Sequence, residues 1–169
     1  TGRELAARAA AFGMRVIAVD PESVDCPSCV EACWGMDRFA QLLAQSDVVA
    51  ICAPLTPATE GMFDRAAFQH MQAHALLINV TRGKIVDEQA LLEALTNKRI
   101  GGAGLDVTPV EPLPVDHPLW QMENVVITPH TAGASPVRIR RTTDLFCENL
   151  RRYRAGEPLL AAIDKSKGY

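Results

Sequence analysis

Three side chains in this sequence have the types and positions to handle an anion and a proton together: Arg82, one of the two carboxylates Asp106 and Glu111, and His130. Arg82 follows the apolar run 75–80 and precedes Gly83, so its side chain can point into a crevice at a strand end, where a planar guanidinium can grip a carboxylate with two parallel hydrogen bonds. Glu111 lies in GLDVTPVEP together with Asp106, and His130 lies in TPHTAG, just past the apolar run 125–128. Imidazole is the side chain that titrates near neutral pH, and a neighbouring carboxylate favours its charged form. An arginine, an acid and a histidine at successive strand ends therefore form an acid/base site with a carboxylate clamp. Taken singly, the arginine reads as a structural salt bridge and the histidine as a structural residue in a Pro/Gly turn.

A fourth residue points to a nucleotide. Asp20 ends the run VIAVD, eighteen positions after Gly2. In a dinucleotide fold an acid near that offset accepts hydrogen bonds from the adenosine ribose and repels the extra phosphate of NADP, which favours NAD. The alternative is that Asp20 caps a turn with Pro21.

The elements that must position these groups alternate. Residues 3–12 are Ala-rich with a helical pattern ending at Gly13, and 14–19 read as a buried strand. Residues 21–35 read as a loop, 36–45 as a short amphipathic helix and 48–52 as a strand. Helix 65–71, strand 75–80, helix 88–95, strands 101–107 and 125–128, and a long helix from 135 to about 155 complete the order. Continuously apolar strands separated by helices imply a doubly wound parallel sheet, in which ligands lie at the carboxyl ends of strands. That rule singles out Asp20, residues 53–56, residues 81–83, Asp106 and His130. The long loop 109–118 between the last two strands is of a length that often carries function.

Bulk properties exclude other classes. With 169 residues, 48% of them hydrophobic, the chain can bury a core and is expected to form one unit. A net charge of −3 without a cationic stripe argues against nucleic acid, and Arg138, Arg140 and Arg141 read as an exposed helix face. No apolar run approaches the roughly 20 residues that span a bilayer, so a soluble, cytoplasmic protein is expected. Five cysteines form no even disulfide framework. Cys26, Cys29 and Cys33 lack a nearby fourth ligand, so a loop with reduced thiols is expected rather than a metal site. His70 and His74 read as exposed, and Trp120 as packing.

The segments AICAPLTPAT, INVTRGKIVDEQALLEAL, GAGLDVTPVEPLPVDHPLW and NVVITPHTAG resemble the successive signatures of the D-isomer-specific 2-hydroxyacid dehydrogenase family, in its order and spacing, over essentially the whole chain. The resemblance implies a Rossmann-type NAD-binding domain over residues 1–169, with 134–169 a helix and tail leading back toward a separate substrate domain. It implies that Arg82 binds the substrate carboxylate and keto oxygen, that His130 exchanges a proton at that oxygen, and that Glu111 pairs with His130. Cofactor contacts are implied for Gly2, Asp20, Pro54, Leu55, Thr56, Thr59, Thr81, Arg82, Asp106, His130 and Gly133. His117, given a local partner in Asp116, matches a family loop residue outside the mechanism. The implied reaction moves a hydride between NAD(H) and a small 2-keto or D-2-hydroxy acid such as glyoxylate or hydroxypyruvate, in a homodimer.

One departure stands out. Thr1-Gly2 supplies only the last glycine of a G-x-G-x-x-G motif, so the first strand, the earlier glycines and the substrate domain are expected to be missing, as in a truncated or cleaved product or an incomplete gene. Alone, such a chain is expected to be inactive. A second reading is an NAD-sensing, partner-binding protein of the corepressor kind, because fold does not fix function.

Overall fold

The computed structural model describes residues 1–165, which fall into two compact units: Thr1–Pro129, and a second that begins at His130. The first unit alternates strands and helices: α1 (Gly2–Ala11), β1 (Ile17–Val19), β2 (Ala32–Trp34), α2 (Phe39–Gln45), β3 (Val48–Ile51), α3 (Arg65–His70), β4 (Leu76–Asn79), α4 (Glu88–Thr96), β5 (Gly102–Leu105) and β6 (Val125–Ile127). Short 3-10 turns occupy Met36–Arg38, Gly83–Ile85 and Pro118–Gln121.

All strand pairs are parallel. They form two separate ladders, β1-β2 and β3-β4-β5-β6, where the sequence pattern suggests one sheet. Among the described residues β1 and β3 each carry one edge without a strand partner. The second difference is β2, which lies inside the expected loop 21–35. Its apolar run is only three residues long and sits between Glu31 and Gly35, too short to show a period, yet Ala32, Cys33 and Trp34 pair in register with Ile17, Ala18 and Val19. Several strands are shorter than their apolar runs, although the hydrogen bonding continues past their ends: Gly101 N–H donates to the Ala75 carbonyl at 2.8 Å and Asp106 N–H to the Asn79 carbonyl at 2.9 Å.

The core lies between the four-stranded ladder and its helices. Leu43 of α2, Phe68 of α3, Leu77 of β4, Leu91 and Leu95 of α4 and Leu105 of β5 are all buried in one cluster. Phe63 packs edge-on against Phe39 with ring centroids 5.3 Å apart. Burying one such side chain contributes roughly 1.5–3 kcal/mol, so this cluster is the main force holding the helices to the strands. The helix starts are locally determined. The Asp64 carboxylate accepts the Ala67 N–H at 2.8 Å at the head of α3, and the Asp87 carboxylate accepts the Ala90 N–H at 2.7 Å at the head of α4. Each such cap satisfies a donor the helix leaves unpaired and is worth about 1 kcal/mol.

The cysteine-bearing segment is tied to β2. Cys33 lies within side-chain hydrogen-bonding reach of Cys26, and burial followed by that hydrogen bond pushes the Cys33 thiol up to about 11. Cys26, Cys29 and Cys33 are free thiols, each half-buried.

In the second unit α5 (Arg138–Ala155) begins three residues later than the apolar pattern suggests, because Ser135 and Pro136 form a turn in which the Ser135 hydroxyl accepts the Val137 N–H. The helix ends where Gly156 adopts a left-handed φ of 71°, which lets the N–H of Glu157 return to the Arg152 carbonyl at 2.9 Å. Glu148 accepts hydrogen bonds from Arg151 at 2.9 Å and Arg152 at 2.7 Å, which draw its carboxyl down to about 2. A depressed carboxyl contributes stability that is complete above the ordinary glutamate range and is lost as pH falls through its own folded value. A carboxyl-resolved NMR titration is therefore expected to place the Glu148 midpoint about two units below that of an ordinary glutamate, with the last turns of α5 fraying only in that acidic window. A midpoint near 4.3, the usual glutamate value, would show that the two arginines do not hold it in solution.

Candidate active site

Because the strands of the four-stranded ladder run parallel, their carboxyl ends share one edge, and the residues singled out by sequence in the first unit follow those ends. After β3 comes residues 52–60, shaped by one hydroxyl. Thr59 Oγ1 donates to the Pro54 carbonyl at 2.7 Å and accepts the Thr56 N–H at 2.8 Å, so Thr59 organises the loop that displays Pro54 and Thr56. Leu55 is half-buried and packs against the core. The start of α1 meets this strand end: a Cβ on Gly2 would lie 3.6 Å from that of Cys52, an ordinary contact. No side chain caps the first turn of α1, so its leading N–H groups keep the character of an anion site.

Beyond β1, Asp20 accepts the Glu22 N–H at 2.9 Å, the turn-capping geometry, while its own N–H donates to Trp34 and extends the β1-β2 ladder. The capping alternative thus holds locally. It leaves room for the ribose reading, since a carboxylate has acceptor capacity for several donors.

After β4 the chain makes a tight turn. Asn79, 1% exposed, accepts the Thr81 N–H at 3.1 Å and the Thr81 hydroxyl at 3.3 Å, and its amide donates to the Arg82 carbonyl at 3.0 Å. Arg82 is extended and exposed, with Nη1 donating to the Thr81 carbonyl at 2.7 Å. Gly83 is then pressed onto the loop after β5. A Cβ there would fall 2.0 Å from the carbonyl carbon of Thr108 and 2.4 Å from the nitrogen of Pro109, so only glycine fits.

That neighbouring loop carries the acids. Asp106 is buried and accepts the Thr128 hydroxyl at 2.6 Å, which ties the ends of β5 and β6 together. Thr108 N–H donates to the Glu111 carboxylate at 3.1 Å and its hydroxyl to the Val110 carbonyl at 2.8 Å. Farther along, His117 corrects the sequence expectation: its partner is Glu88 of α4, at 3.1 Å, and not Asp116. Its Nδ1 accepts the Leu119 N–H, so Nε2 carries the proton and donates to Glu88. The pair is drawn together because His117 is nearly buried and Glu88 stands at the exposed head of α4, whereas Asp116 points outward. Trp120 also differs from expectation, being 49% exposed and pinned by its indole N–H to the Pro114 carbonyl at 2.8 Å. His74 is exposed and paired with Asp47.

The first unit therefore brings the Arg82 turn and the Glu111 loop into direct backbone contact. His130 and Gly133 open the second unit, both exposed, and His130 adopts a φ of 53°, a strained conformation for a residue with a Cβ. Sequence reasoning passed over Asn79, Thr108 and Thr128. A polar residue closing the apolar run LLIN was the one available signal, since a buried amide must find partners nearby.

Residues 1–132 match the model of the D-isomer specific 2-hydroxyacid dehydrogenase, NAD binding domain. The chain belongs to that family. It is 40% identical over 159 residues to a glyoxylate reductase of Korarchaeum cryptofilum, covering 92% of this chain and 47% of the relative. It is 44% identical over 120 residues to the human glyoxylate reductase/hydroxypyruvate reductase, covering 70% of this chain and 36% of that one. Among solved structures, an NADPH-dependent glyoxylate/hydroxypyruvate reductase from Sinorhizobium meliloti, in complex with NADP and sulfate, superposes with a TM-score of 0.91 at 32% identity over 99% of this chain and 54% of its own. The chain thus spans about half the length of the first relatives it matches. Its parallel strands and flanking helices are the doubly wound, Rossmann-type arrangement of this 2-hydroxyacid dehydrogenase domain.

The Gly83 contact yields a direct test. In the 2-hydroxyacid dehydrogenase domain described here, Gly83→Ala is expected to destabilise by about 1–3 kcal/mol, the usual cost of overpacking, because its new methyl meets backbone and not a yielding side chain. Urea unfolding of the variant at the wild-type midpoint would show that the two turns separate freely.

Proposed function

We propose that residues 1–169 form the nucleotide-binding domain of an oxidoreductase that moves a hydride between NAD(H) and a small 2-keto or D-2-hydroxy acid. The stretch 134–169 is assigned as the helix and tail that would lead back toward a substrate domain, its residues 166–169 lying outside the described residues. The observation that carries this reading is the close approach of the Arg82 turn, at Gly83, to the Thr108–Pro109 backbone that leads into Glu111, at the carboxyl edge of a parallel ladder. Similarity to reductases of glyoxylate and hydroxypyruvate supports the substrate class.

The residues present fit a dinucleotide. The uncapped start of α1 at Gly2 offers N–H groups to a pyrophosphate, Asp20 an acceptor for the ribose, and the loop of Pro54, Leu55, Thr56 and Thr59 a wall for the adenosine half. Thr81, Arg82 and Asp106, which follow the ends of β4 and β5, are the residues of the first unit assigned to the nicotinamide half, and His130 and Gly133 those of the second. When bound, the cofactor supplies or accepts the hydride. Arg82 holds the substrate carboxylate and offsets charge on the keto oxygen, a bidentate task that lysine cannot perform equally. His130 donates its proton to that oxygen in reduction and removes it in oxidation. Glu111 is assigned as the partner of His130, by the family resemblance. The working form is a cytoplasmic homodimer, the assembly implied by family resemblance.

Two measurements test the reading on the intact protein. NADH is expected to give a higher kcat/KM than NADPH, because the Asp20 carboxylate would face the extra phosphate. Equal or better use of NADPH, the cofactor named for the Sinorhizobium meliloti relative, would remove Asp20 from this role.

His130→Gln is expected to lower kcat by roughly 10²–10⁴-fold with little change in NADH affinity.

A further inference from the structure

The residue that sets where Arg82 stands is two steps removed from any substrate. We propose that Asn79 is a positioning residue for Arg82: its buried amide binds both ends of the Thr81–Arg82 step and holds the arginine at the edge of the sheet. This rests on the carboxylate-binding role given to Arg82 above.

Asn79 is the last residue of β4 and 1% exposed, in a part of the fold otherwise packed with aliphatic side chains. A buried amide left unpaired costs about 1–3 kcal/mol, so its partners are set by necessity. All its recorded side-chain partners lie within the next three residues. Oδ1 accepts from the N–H of Thr81 at 3.1 Å and from its hydroxyl at 3.3 Å, while Nδ2 donates to the carbonyl of Arg82 at 3.0 Å. The acceptor and donor halves of one side chain thus grip both ends of the Thr81–Arg82 step. The guanidinium is held in turn by the Thr81 carbonyl at 2.7 Å, so head and backbone of the arginine both refer back to this amide.

The anchor itself does not move with the turn. The main-chain carbonyl of Asn79 accepts the Asp106 N–H at 2.9 Å, and Asn79 pairs in register with Ile51 on one side and Leu105 on the other. Asn79 therefore refers Arg82 to the same ladder that carries Asp106 and leads to the Glu111 loop. Gly83 completes the arrangement from the far side by its contact with Thr108 and Pro109. A turn clamped at both ends presents the arginine with little freedom to relax.

Aspartate is nearly the same shape as asparagine but has no donor to offer the Arg82 carbonyl, so Asn79→Asp faces an acceptor with an acceptor. Misplacement of a binding group by about 1 Å can cost on the order of 10²-fold in rate. The experiment uses the intact protein with glyoxylate and with hydroxypyruvate as probes. It compares wild type, Asn79→Asp, Asn79→Ser, Arg82→Gln and the two double variants, with NADH binding measured in each. Asn79→Asp is expected to lower kcat/KM by about 10–10²-fold, mainly through KM, with NADH affinity within about twofold of wild type. In the Arg82→Gln background the same change should have less than about a twofold further effect, because the group it positions is gone. Asn79→Ser, whose single short hydroxyl cannot serve the Thr81 N–H and the Arg82 carbonyl at once, should behave alike and serves if the aspartate variant does not fold. Single variants within twofold of wild type, or losses that recur in full without Arg82, would overturn the positioning role. Absence of turnover in the wild type with both probes would instead overturn the function proposed for the chain, and this inference with it.

Discussion

Parallel pairing between β4 and β5 is the constraint from which the candidate site follows. Register sets Asn79 beside Leu105, so the two strands end together and their departing loops meet immediately. A parallel pair cannot be joined by a short hairpin and needs a crossover, here α4, which packs behind the strands and leaves their carboxyl ends uncovered. The chemistry-bearing residues of the first unit stand at those ends because the helices cover the faces. The core residues Leu77, Leu91, Leu95 and Leu105 hold strand and helix together, and through them hydrophobic burial maintains polar geometry several residues away.

Much of this was legible in the sequence. Runs such as VIAV, LLI and VVI are apolar throughout, and helices between them leave few arrangements besides a doubly wound sheet. Arg82, Asp106 and His130 could be placed at strand ends for the same reason. The unreadable parts depended on partners distant in sequence. β2 is three residues long and exists because β1 offers it a ladder, not because its own pattern demands a strand. The partner of His117 is 29 positions away, so proximity in sequence pointed to Asp116 and tertiary packing selected Glu88. The capping of Glu22 by Asp20 and the ribose role of that same carboxylate are compatible, and a local motif cannot separate them.

The same distinction applies to the thiols. C-x2-C-x3-C suggests ligation by its spacing, yet Cys33 is directed by its strand and Cys26 by the loop that leads to it. Burial, followed by the hydrogen bond with Cys26, pushes the Cys33 thiol up to about 11. Spacing alone carries no information about that environment.

Contact between Gly83 and the Thr108–Pro109 peptide has an implication for how such a domain can change over time. Side-chain contacts can be retuned in small increments by swapping one residue for another of slightly different volume. Two peptide groups in direct apposition have no such adjustable part, since the first possible increment at Gly83 is a methyl group placed 2.0 Å from a carbonyl carbon. The separation of the Arg82 and Glu111 segments is consequently closed to gradual drift.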